Sequence, residues 1–577
     1  MAISASCLAV AEHHETAGEI GAGGRPVGEI WSRSPVYAEH GMAATAQPLA
    51  SQVAIDILKA GGTAVDAAIA ANATLGLMEP TGNGVGGDLF AIIWDPETET
   101  LYGLNASGRS PMGRSYDELV EKLGDRDSIP LFGAIPVSVP GAVDGWFELH
   151  EKFGKLPMRK ILAPAIEYAE KGFPVSPVIA SYFEFGLNRF EQNMADIEEF
   201  DNARATYFES GPPKAGEIFK NPDLAETYRT IAQKGRDGFY KGRIAKTVDA
   251  YMERIGGDIR YEDFAAHKSE WVDPGCVDYR GYELCELPPN GQGFAALQMA
   301  NILKNVDLKQ WPRGSAEVLH YITEAKRLAF EDLAKFYADP DFSDAPIDWL
   351  LSDEYGRERF ALIDPGQAMT APAPGEPKLE GEGDTTYFTI ADKDGMMVSF
   401  IQSNYVGMGS GLVPDGLGFM LQDRGALYSL EPGHPNVYAP NKRPFHTIIP
   451  AFVMKDGDPL MSFGLMGGGM QPQGHVQILI NLVDYGMNLQ EAGDAARLNH
   501  DGGRRPTGGE PDLLGVLNVE PGISTETINA LRAMGHNVNV VDNGAMFGGY
   551  QAIWRDPETS VYTGATEMRK DGVAIGY

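Results

Sequence analysis

Residues 383–405 read GDTTYFTIADKDGMMVSFIQSNY, in which two runs of apolar and β-branched residues flank an Asp-Gly pair at 394–395. An Asp-Gly pair in this setting is typical of a β-hairpin with a two-residue loop. In that register Thr385 lies opposite Asn404 and one step from Ser403, and a bulge or a longer loop would shift the pairing. The stretch therefore predicts a hairpin with two hydroxyl side chains at its open end.

The first strand begins at Thr385, whose hydroxyl suits one kind of catalysis. A Thr hydroxyl is nearly inert near neutral pH until a base removes its proton. If the chain were cut between Asp384 and Thr385, the new α-amine, with a pKa of about 8, would supply that base within the same residue. The alternative is an ordinary strand, because β-branched residues favour strands for packing reasons alone.

The segment before Thr385, residues 365–383, is rich in Pro, Gly and acidic residues and has almost no apolar periodicity. Such a composition predicts an exposed, flexible segment. A cut at Thr385 requires slack on the leaving side, which this segment would supply. An ordinary surface loop would have the same composition.

Composition excludes several classes of protein. The 577-residue chain has 47 basic and 80 acidic residues and a net charge of −33. This balance argues against nucleic acid or an anionic membrane as a partner, because phosphate binding requires clustered Lys and Arg. The chain contains no run of 18 apolar residues, so we expect no membrane-spanning helix. Its first residues lack the basic region of a signal peptide. We expect a cytoplasmic protein, with a periplasmic or secreted location left open.

The three cysteines are Cys7, Cys276 and Cys285, so at most one disulfide is possible. Their spacing matches no zinc pattern, and we expect no metal site. We interpret them as buried or surface thiols.

Helical periodicity is clear in three places: residues 47–60, about 64–77, and 315–337 with Ser315 as the N-cap. We expect the charged residues of the third helix to form a solvated face. The glycines at 82–87 match a dinucleotide fingerprint in spacing, but here they lie between a helix and a strand in the reverse of the required order. We therefore expect close backbone packing there and no nucleotide.

Over about residues 40–575 the chain resembles the γ-glutamyltranspeptidase family of N-terminal-nucleophile hydrolases. Several blocks carry the resemblance, in the order of the family: ASQVAIDILKAGGTAVDAA at 50–68, EPTGNGVGGD at 79–88, PPNGQGF at 288–294, DTT at 384–386, PNKRP at 440–444 and GGG at 467–469. One block would be a weak signal, whereas all of them in order are a strong one.

The resemblance implies a four-layer αββα sandwich of two packed sheets, whereas periodicity alone indicates only mixed α/β structure. It divides the chain into a loose arm at 1–35, a large segment at 36–384 and a small segment at 385–577. The two larger segments would form one interleaved domain and stay together as a heterodimer after cleavage, with a higher homo-oligomer left open. No metal or organic cofactor is implied, and the partner is a small amide substrate.

Five site residues follow from the same resemblance. Thr385 corresponds to the nucleophile, and Ser403 to a hydroxyl that supports it. Gly467 and Gly468 correspond to the oxyanion-hole glycines, whose backbone N–H groups can approach a developing charge closely. Arg109 corresponds to the arginine that holds the α-carboxylate of the substrate, a pairing that suits a guanidinium.

The departures from the family concern substrate recognition. Tyr405 replaces an Asn, Arg424 and Leu427 replace a Gln and an Asp that hold the amino end of a γ-glutamyl group, and His446-Thr447 replace paired serines. The loss of the Asp removes the expected partner of a substrate ammonium, which Arg424 would repel.

About ten residues that form a lid in typical members are missing between Tyr438 and Pro440. We therefore expect an open pocket in which hydrolysis is favoured over transfer.

These observations lead to three hypotheses of function. The first is a self-processing hydrolase or transferase of γ-glutamyl compounds such as glutathione, acting through an acyl-enzyme on Thr385. The second is an acylase or small-amide hydrolase of the same fold, with glutaryl, cephalosporin-type or oxamate substrates, which the changes at Tyr405 and Arg424 favour. The third is an uncleaved, inactive binding protein.

Overall fold

The protein is described by a computed structural model over residues 33–375, 384–542 and 544–577. Most of the predicted N-terminal arm and the second half of the predicted flexible segment lie outside these ranges. The strands are β1 Val36–Ala38, β2 Gly41–Thr45, β3 Asp88–Asp95, β4 Thr100–Ala106, β5 Phe173–Pro174, β6 Ile218–Phe219, β7 Glu270–Val272, β8 Gly275–Tyr279, β9 Tyr282–Glu286, β10 Asp384–Asp392, β11 Met397–Tyr405, β12 Ala451–Lys455, β13 Asp458–Leu465, β14 Leu498–Gly503, β15 Asp512–Val519, β16 Val538–Val540, β17 Tyr550–Arg555, β18 Tyr562–Thr566 and β19 Val573–Gly576.

The helices lie mainly between β4 and β10 and after β13. They are α1 Pro48–Lys59, α2 Ala64–Met78, α3 Tyr116–Leu123, α4 Ala142–Phe153, α5 Met158–Ile161, α6 Ala163–Lys171, α7 Pro177–Gln192, α8 Asp201–Tyr207, α9 Pro222–Lys234, α10 Arg236–Tyr240, α11 Arg243–Ile255, α12 Tyr261–Ala266, α13 Gly293–Leu303, α14 Ala316–Phe336, α15 Ile347–Leu350, α16 Asp353–Phe360, α17 Met470–Val483, α18 Leu489–Asp494 and α19 Thr525–Ala533.

Two seven-stranded sheets form the centre of the molecule. Their orders are β1-β18-β17-β13-β12-β9-β8 and β19-β2-β10-β11-β3-β4-β7. Helices α1 and α2 cover the outer face of the second sheet, and α13 and α17 cover the outer face of the first. The predicted four-layer αββα sandwich is confirmed. Each sheet combines strands from before and after Thr385, so the two segments interleave.

The central hairpin shows why these residues form strands. Side chains of β10 and β11 alternate between the two faces of the sheet, as a period of two requires. Phe388 and Phe400 stack 4.7 Å apart on the face that packs against the helices. Tyr387 and Ile401 point into the apolar layer between the sheets. Both faces are buried, which fixes the register, because a slip of one residue would exchange the two faces.

The three predicted helices are confirmed, but the solvated face expected for α14 is wrong. Its charged residues Glu324, Lys326, Arg327, Glu331 and Asp332 are all buried. They are tolerated because they find buried partners: the Arg327 guanidinium, for example, donates to the Glu324 carboxylate at 2.6 Å. Helical spacing alone does not distinguish such pairs from a solvated surface.

The cysteines also differ from the prediction. Residues Cys276 on β8 and Cys285 on β9 are directly opposite in the antiparallel register and form a disulfide, with Cα atoms 4.1 Å apart. The sequence did not show that they would be cross-strand neighbours. Separately, no helix within the described ranges is both long and apolar enough to cross a bilayer.

Candidate active site

The loop of the β10–β11 hairpin is longer than predicted. Gly395 adopts a left-handed φ of 94° and its N–H donates to the Asp392 carbonyl at 3.2 Å. The Asp392 carboxylate also accepts from the N–H groups of Asp394 and Met396, which stabilises the wider turn. The predicted two-residue register is therefore wrong by one step.

A β-bulge at the open end offsets that shift. The pairing passes from Thr386 opposite Gln402 to Asp384 opposite Tyr405. One residue, Thr385, thus lies opposite two, at 403–404, which is the definition of a bulge. The backbone of Thr385 therefore lies beside residues 403 and 404, as predicted, but through a shifted register and a bulge. The side chains of residues 384 and 385 lie outside what the structure describes.

Ser403 lies in the centre of the second sheet, where it pairs with Asp88 of β3. Its side chain is fully buried, and its hydroxyl accepts a hydrogen bond from the Tyr405 N–H at 2.8 Å. The strand thus fixes the position of this hydroxyl beside the start of β10.

Asp88 connects several elements around Ser403 through buried hydrogen bonds, a role that sequence reasoning missed. One carboxylate oxygen accepts from Gly108 N–H at 2.8 Å and from the Gln422 amide at 2.9 Å. The other accepts from His446 Nε2 at 2.7 Å, and both side chains are fully buried. The position of Asp88 at the end of a glycine-rich block and the start of a strand was the available signal.

His446 is a neutral side chain in this environment. Burial, reinforced by the nearby charge of Arg424, lowers its pKa to about 4. The hydrogen bond to Asp88 assigns the proton to Nε2. The buried Nδ1 is then an acceptor, and it has no partner among the described residues.

Arg424 begins a short 3-10 turn and is fully buried. Its Nη1 donates to the Thr447 hydroxyl at 2.8 Å, and its guanidinium lies over the Tyr405 ring, 4.8 Å from the centroid. Its Nε and Nη2 atoms have no hydrogen-bond partner in the described part of the chain.

The charge of Arg424 is incompletely balanced. Burial lowers the pKa of Arg424 to about 10, which leaves it protonated at neutral pH. Burial also raises the pKa of its chain neighbour Asp423 to about 8. Asp423 is therefore largely neutral below that pH, so it does not act as a full counterion.

Gly467 and Gly468 form the turn between β13 and α17, with φ angles of 114° and 56°. Side chains are strained in this region of φ, so glycine is required. The Gln292 amide donates to the Gly468 carbonyl at 2.8 Å and to the Thr447 carbonyl at 2.6 Å, which fixes the turn. Within the described ranges the N–H groups of these two glycines donate to no protein acceptor.

The hairpin and the glycine turn meet at one cavity. Tyr405, Gly467 and Gly469 line a space of about 390 Å³. Because Tyr405 pairs with Asp384, this cavity lies at the open end of the hairpin. The structure thus brings together the elements that carry four of the predicted residues.

Arg109 lies elsewhere. It lines a separate cavity and makes ion pairs of 3.2 Å with Asp339, 3.1 Å with Glu270 and 2.9 Å with Asp341. Its predicted contact with a substrate carboxylate stays a prediction. The geometry shows a guanidinium that already has three carboxylate partners.

One side-chain cluster has the composition of a metal site, namely His320, Glu324 and His536. The two imidazoles contact each other at 2.8 Å. The Glu324 oxygens accept from Arg327 at 2.6 Å and from the Met369 N–H at 2.9 Å. These bonds explain the cluster as a buried hydrogen-bond network.

The protein has two antiparallel sheets between helical layers, and its strand β10 begins beside a glycine turn. This architecture is that of the N-terminal-nucleophile hydrolases. A sequence model of the family described as Gamma-glutamyltranspeptidase matches residues 50–577. The chain belongs to the γ-glutamyltranspeptidase family and is a hydrolase of this class.

Three proteins similar to this chain in sequence or structure carry the names of acylases and glutathione hydrolases. The crystal structure of cephalosporin acylase from Bacillus halodurans superposes with a TM-score of 0.89 and 42% identity, covering 96% of this chain and 98% of that one. The glutathione hydrolase-like YwrD proenzyme of Bacillus subtilis (strain 168) is 36% identical, over 92% of this chain and 97% of the relative. The acylase ACY 1 proenzyme of Pseudomonas sp. (strain SE83) is 33% identical, over 94% of each.

Proposed function

We propose that this chain is a precursor that cuts itself between Asp384 and Thr385, and that Thr385 then hydrolyses amides. The observation that carries the proposal is the bulge, which sets the backbone of Thr385 opposite residues 403–404 at the cavity lined by Gly467. The names of the relatives, two of which are proenzymes, support it.

In the proposed reaction the α-amine of Thr385 takes the proton of its own hydroxyl. The oxygen attacks the amide carbonyl, and the N–H groups of Gly467 and Gly468 donate to the resulting oxyanion, each worth about 3 kcal/mol of barrier. The amine leaves with the proton held by the α-ammonium. Water then hydrolyses the Thr385 ester, or an acceptor amine takes the acyl group.

The first candidate substrates are γ-glutamyl amides such as glutathione. A γ-glutamyl group presents a carboxylate, for which the two open donors of Arg424 are a chemical match. Ser403 supplies a hydroxyl beside the nucleophile Thr385. The Thr447 hydroxyl accepts a hydrogen bond from Arg424 and so helps to orient it. After cleavage, residues 1–384 and 385–577 remain associated, because their strands share both sheets.

A second candidate is an acylase for acyl groups that carry a carboxylate but no ammonium, such as glutaryl. The observation in its favour is the electrostatic environment of Arg424. Two acids act electrostatically on Arg424: Asp88, which already accepts several hydrogen bonds, and Asp423, which is largely neutral. Neither is well placed to balance a substrate ammonium.

Denaturing mass spectrometry of the purified protein tests the nucleophile. We expect two fragments, ending at Asp384 and starting at Thr385, and a single intact chain for Thr385→Ala. Thr385→Ser, which retains a hydroxyl, should still be cut. A wild-type chain that stays intact after long incubation would instead support a binding protein.

Turnover of γ-glutamyl-4-nitroanilide and glutaryl-4-nitroanilide separates the two candidates, since these substrates differ only at the ammonium. A higher kcat/KM for the glutaryl substrate would establish the acylase. A higher value for the γ-glutamyl substrate would establish the first candidate.

The cytoplasmic location stays a prediction. The Cys276–Cys285 disulfide is an opposing indication, because such bonds are rare in reducing compartments. Cell fractionation with a thiol-trapping reagent checks both points.

A further inference from the structure

The glycine turn at 467–469 contains a peptide group whose direction is not set by its own residues. Gly468 and Gly469 flank this group, and neither has a Cβ to restrict rotation about it. In a trans peptide the carbonyl and the following N–H point in opposite directions. The direction of the Gly468 carbonyl therefore decides where the Gly469 N–H points.

The side chain of Gln292 fixes that direction. Gln292 is the N-cap residue of α13, and its side chain is fully buried. Its Nε2 donates to the Gly468 carbonyl at 2.8 Å and to the Thr447 carbonyl at 2.6 Å. An amide nitrogen has two hydrogens, so both are used in holding backbone.

The orientation of the Gln292 amide follows from its partners. Two carbonyl oxygens require donors, so a reversed amide would place Oε1 against two acceptors. The Oε1 atom is buried and accepts no hydrogen bond from the described residues. The side chain therefore acts on its surroundings as a donor.

The backbone that carries Gln292 is braced against the segment at 446–447. The His446 N–H donates to the Asn290 carbonyl at 2.8 Å, and Gly291 forms a β-bridge with His446. With the bond from Gln292 to the Thr447 carbonyl, these contacts make a firm support. The Gly468 carbonyl is thus held from a fixed point of the fold.

The other side of this peptide group concerns the cavity, which Gly467 and Gly469 line. In the described part of the chain, the N–H groups of residues 467, 468 and 469 donate to no protein acceptor. A reversed 468–469 peptide would turn its N–H away and present the Gly468 oxygen instead. A carbonyl oxygen repels an oxyanion, whereas an N–H stabilises it.

We infer that Gln292 is a positioning residue that holds the 468–469 peptide with its carbonyl towards Gln292 and its N–H towards the cavity, so that Gly469 adds a third donor for the oxyanion. The inference rests on the proposed amide hydrolysis. Gln292 does not touch the substrate and acts through Gly469. The Gln471 N–H also donates to the Gly468 carbonyl, at 3.1 Å, so loss of Gln292 weakens the hold without abolishing it.

The test variant is Gln292→Met, which has a similar length and no donor. For an anilide that the wild type hydrolyses, we expect kcat per processed chain to fall at least about 30-fold, below the full loss of one oxyanion donor. The KM should change less than about threefold, because the hold matters mainly in the transition state. Gln292→Glu, which keeps the shape and lacks the donor when ionised, is the second variant and should lose kcat similarly.

A tetrahedral inhibitor reads the turn directly. A boronic acid that carries the accepted acyl group forms a tetrahedral adduct with the nucleophile, whereas the free acid product is planar. Gln292→Met should lose at least about tenfold in affinity for the boronic acid and less than about threefold for the free acid.

The matched control is Gln490→Met on α18. Gln490 is also buried, and its Nε2 donates to the Thr566 carbonyl at 2.6 Å. Gln490 does not line the cavity in the described ranges. This variant should keep kcat and the boronic acid affinity within about twofold of the wild type.

The outcomes separate the two proposals. A wild type that neither cuts itself nor hydrolyses any amide would defeat the proposed function. Wild-type turnover with a kcat for Gln292→Met within threefold, or a loss in KM alone, would overturn the role of Gln292. Equal losses in the Gln292→Met and Gln490→Met variants would overturn it as well. So would failure of both Gln292 variants to be cut, because Gln292 would then be needed for folding or processing.

Discussion

Arg109 and Arg424 were both singled out from the sequence, but their surroundings in the structure differ greatly. Arg109 contacts three carboxylates, of which Asp339 is fully buried. Arg424 contacts the Thr447 hydroxyl and the Tyr405 ring and keeps two buried donors open. A guanidinium is available to a substrate carboxylate only where the fold has not already paired it.

This comparison makes opposite predictions for activity and stability. Loss of Arg109 leaves the buried Asp339 carboxylate without its cation, which costs stability. Loss of Arg424 removes a buried charge that is incompletely balanced, so we expect the fold not to be destabilised. The same change removes the proposed partner of a substrate carboxylate.

The largest expected effect is that of Arg424→Met on catalysis. We expect kcat/KM for a carboxylate-bearing anilide to fall on the order of 10³-fold, mainly through KM, because the carboxylate loses a bidentate cation. Arg109→Met should lose less than about tenfold. Steady-state kinetics of both variants measures the two losses in kcat/KM. A larger loss for Arg109→Met than for Arg424→Met would indicate Arg109 as the carboxylate ligand.

The second effect concerns folding. Arg109→Met should lower the free energy of unfolding by about 3 kcal/mol, since Asp339 is left buried without its ion pair. Arg424→Met should leave it unchanged or raised. Urea denaturation of processed protein measures both, with Arg109→Lys as the control that preserves charge. Equal destabilisation by the two Met variants would contradict the contrast.

The third effect is a pH dependence at Asp423. Its pKa of about 8 in the folded state lies above its value in the unfolded chain, so the folded state binds more protons between about pH 4 and pH 8. The group's contribution to the free energy of unfolding is therefore present at low pH and falls as pH rises, by up to about 1.4 kcal/mol per unit.

Asp423→Asn should remove that slope. Urea denaturation at pH 5, 6.5 and 8 gives the free energies to compare. If the variant and the wild type show the same slope over this range, the raised pKa of Asp423 is refuted.

Sequence patterns predicted the scaffold better than the details of the site. Helices α1 and α2 follow from apolar periodicity, with a glycine pair at 61–62 after α1 and Pro80 after α2, all of which are local properties. The hairpin was predicted, but its loop was not, because the Asp392 carboxylate stabilises a longer turn. The bulge that offsets this shift depends on neighbouring strands and is not visible in local sequence.

Other errors concern partners that only the folded structure reveals. The charged residues of α14 were predicted to be exposed because some of their partners, such as Arg504 for Glu331, lie far along the chain. The disulfide required knowledge that Cys276 and Cys285 would be opposed. For the same reason the sequence alone did not show that Arg424 keeps open donors while Arg109 does not.

The location of the acyl group during turnover tests most directly whether Thr385 is the nucleophile. Processed enzyme is mixed with a slow amide substrate, quenched in acid, digested and mapped by mass spectrometry. If Thr385 is the nucleophile, we expect an added acyl mass on the peptide that begins with Thr385, and its loss on standing in water. An acyl adduct on any other residue, or none while product accumulates, would contradict Thr385 as the nucleophile.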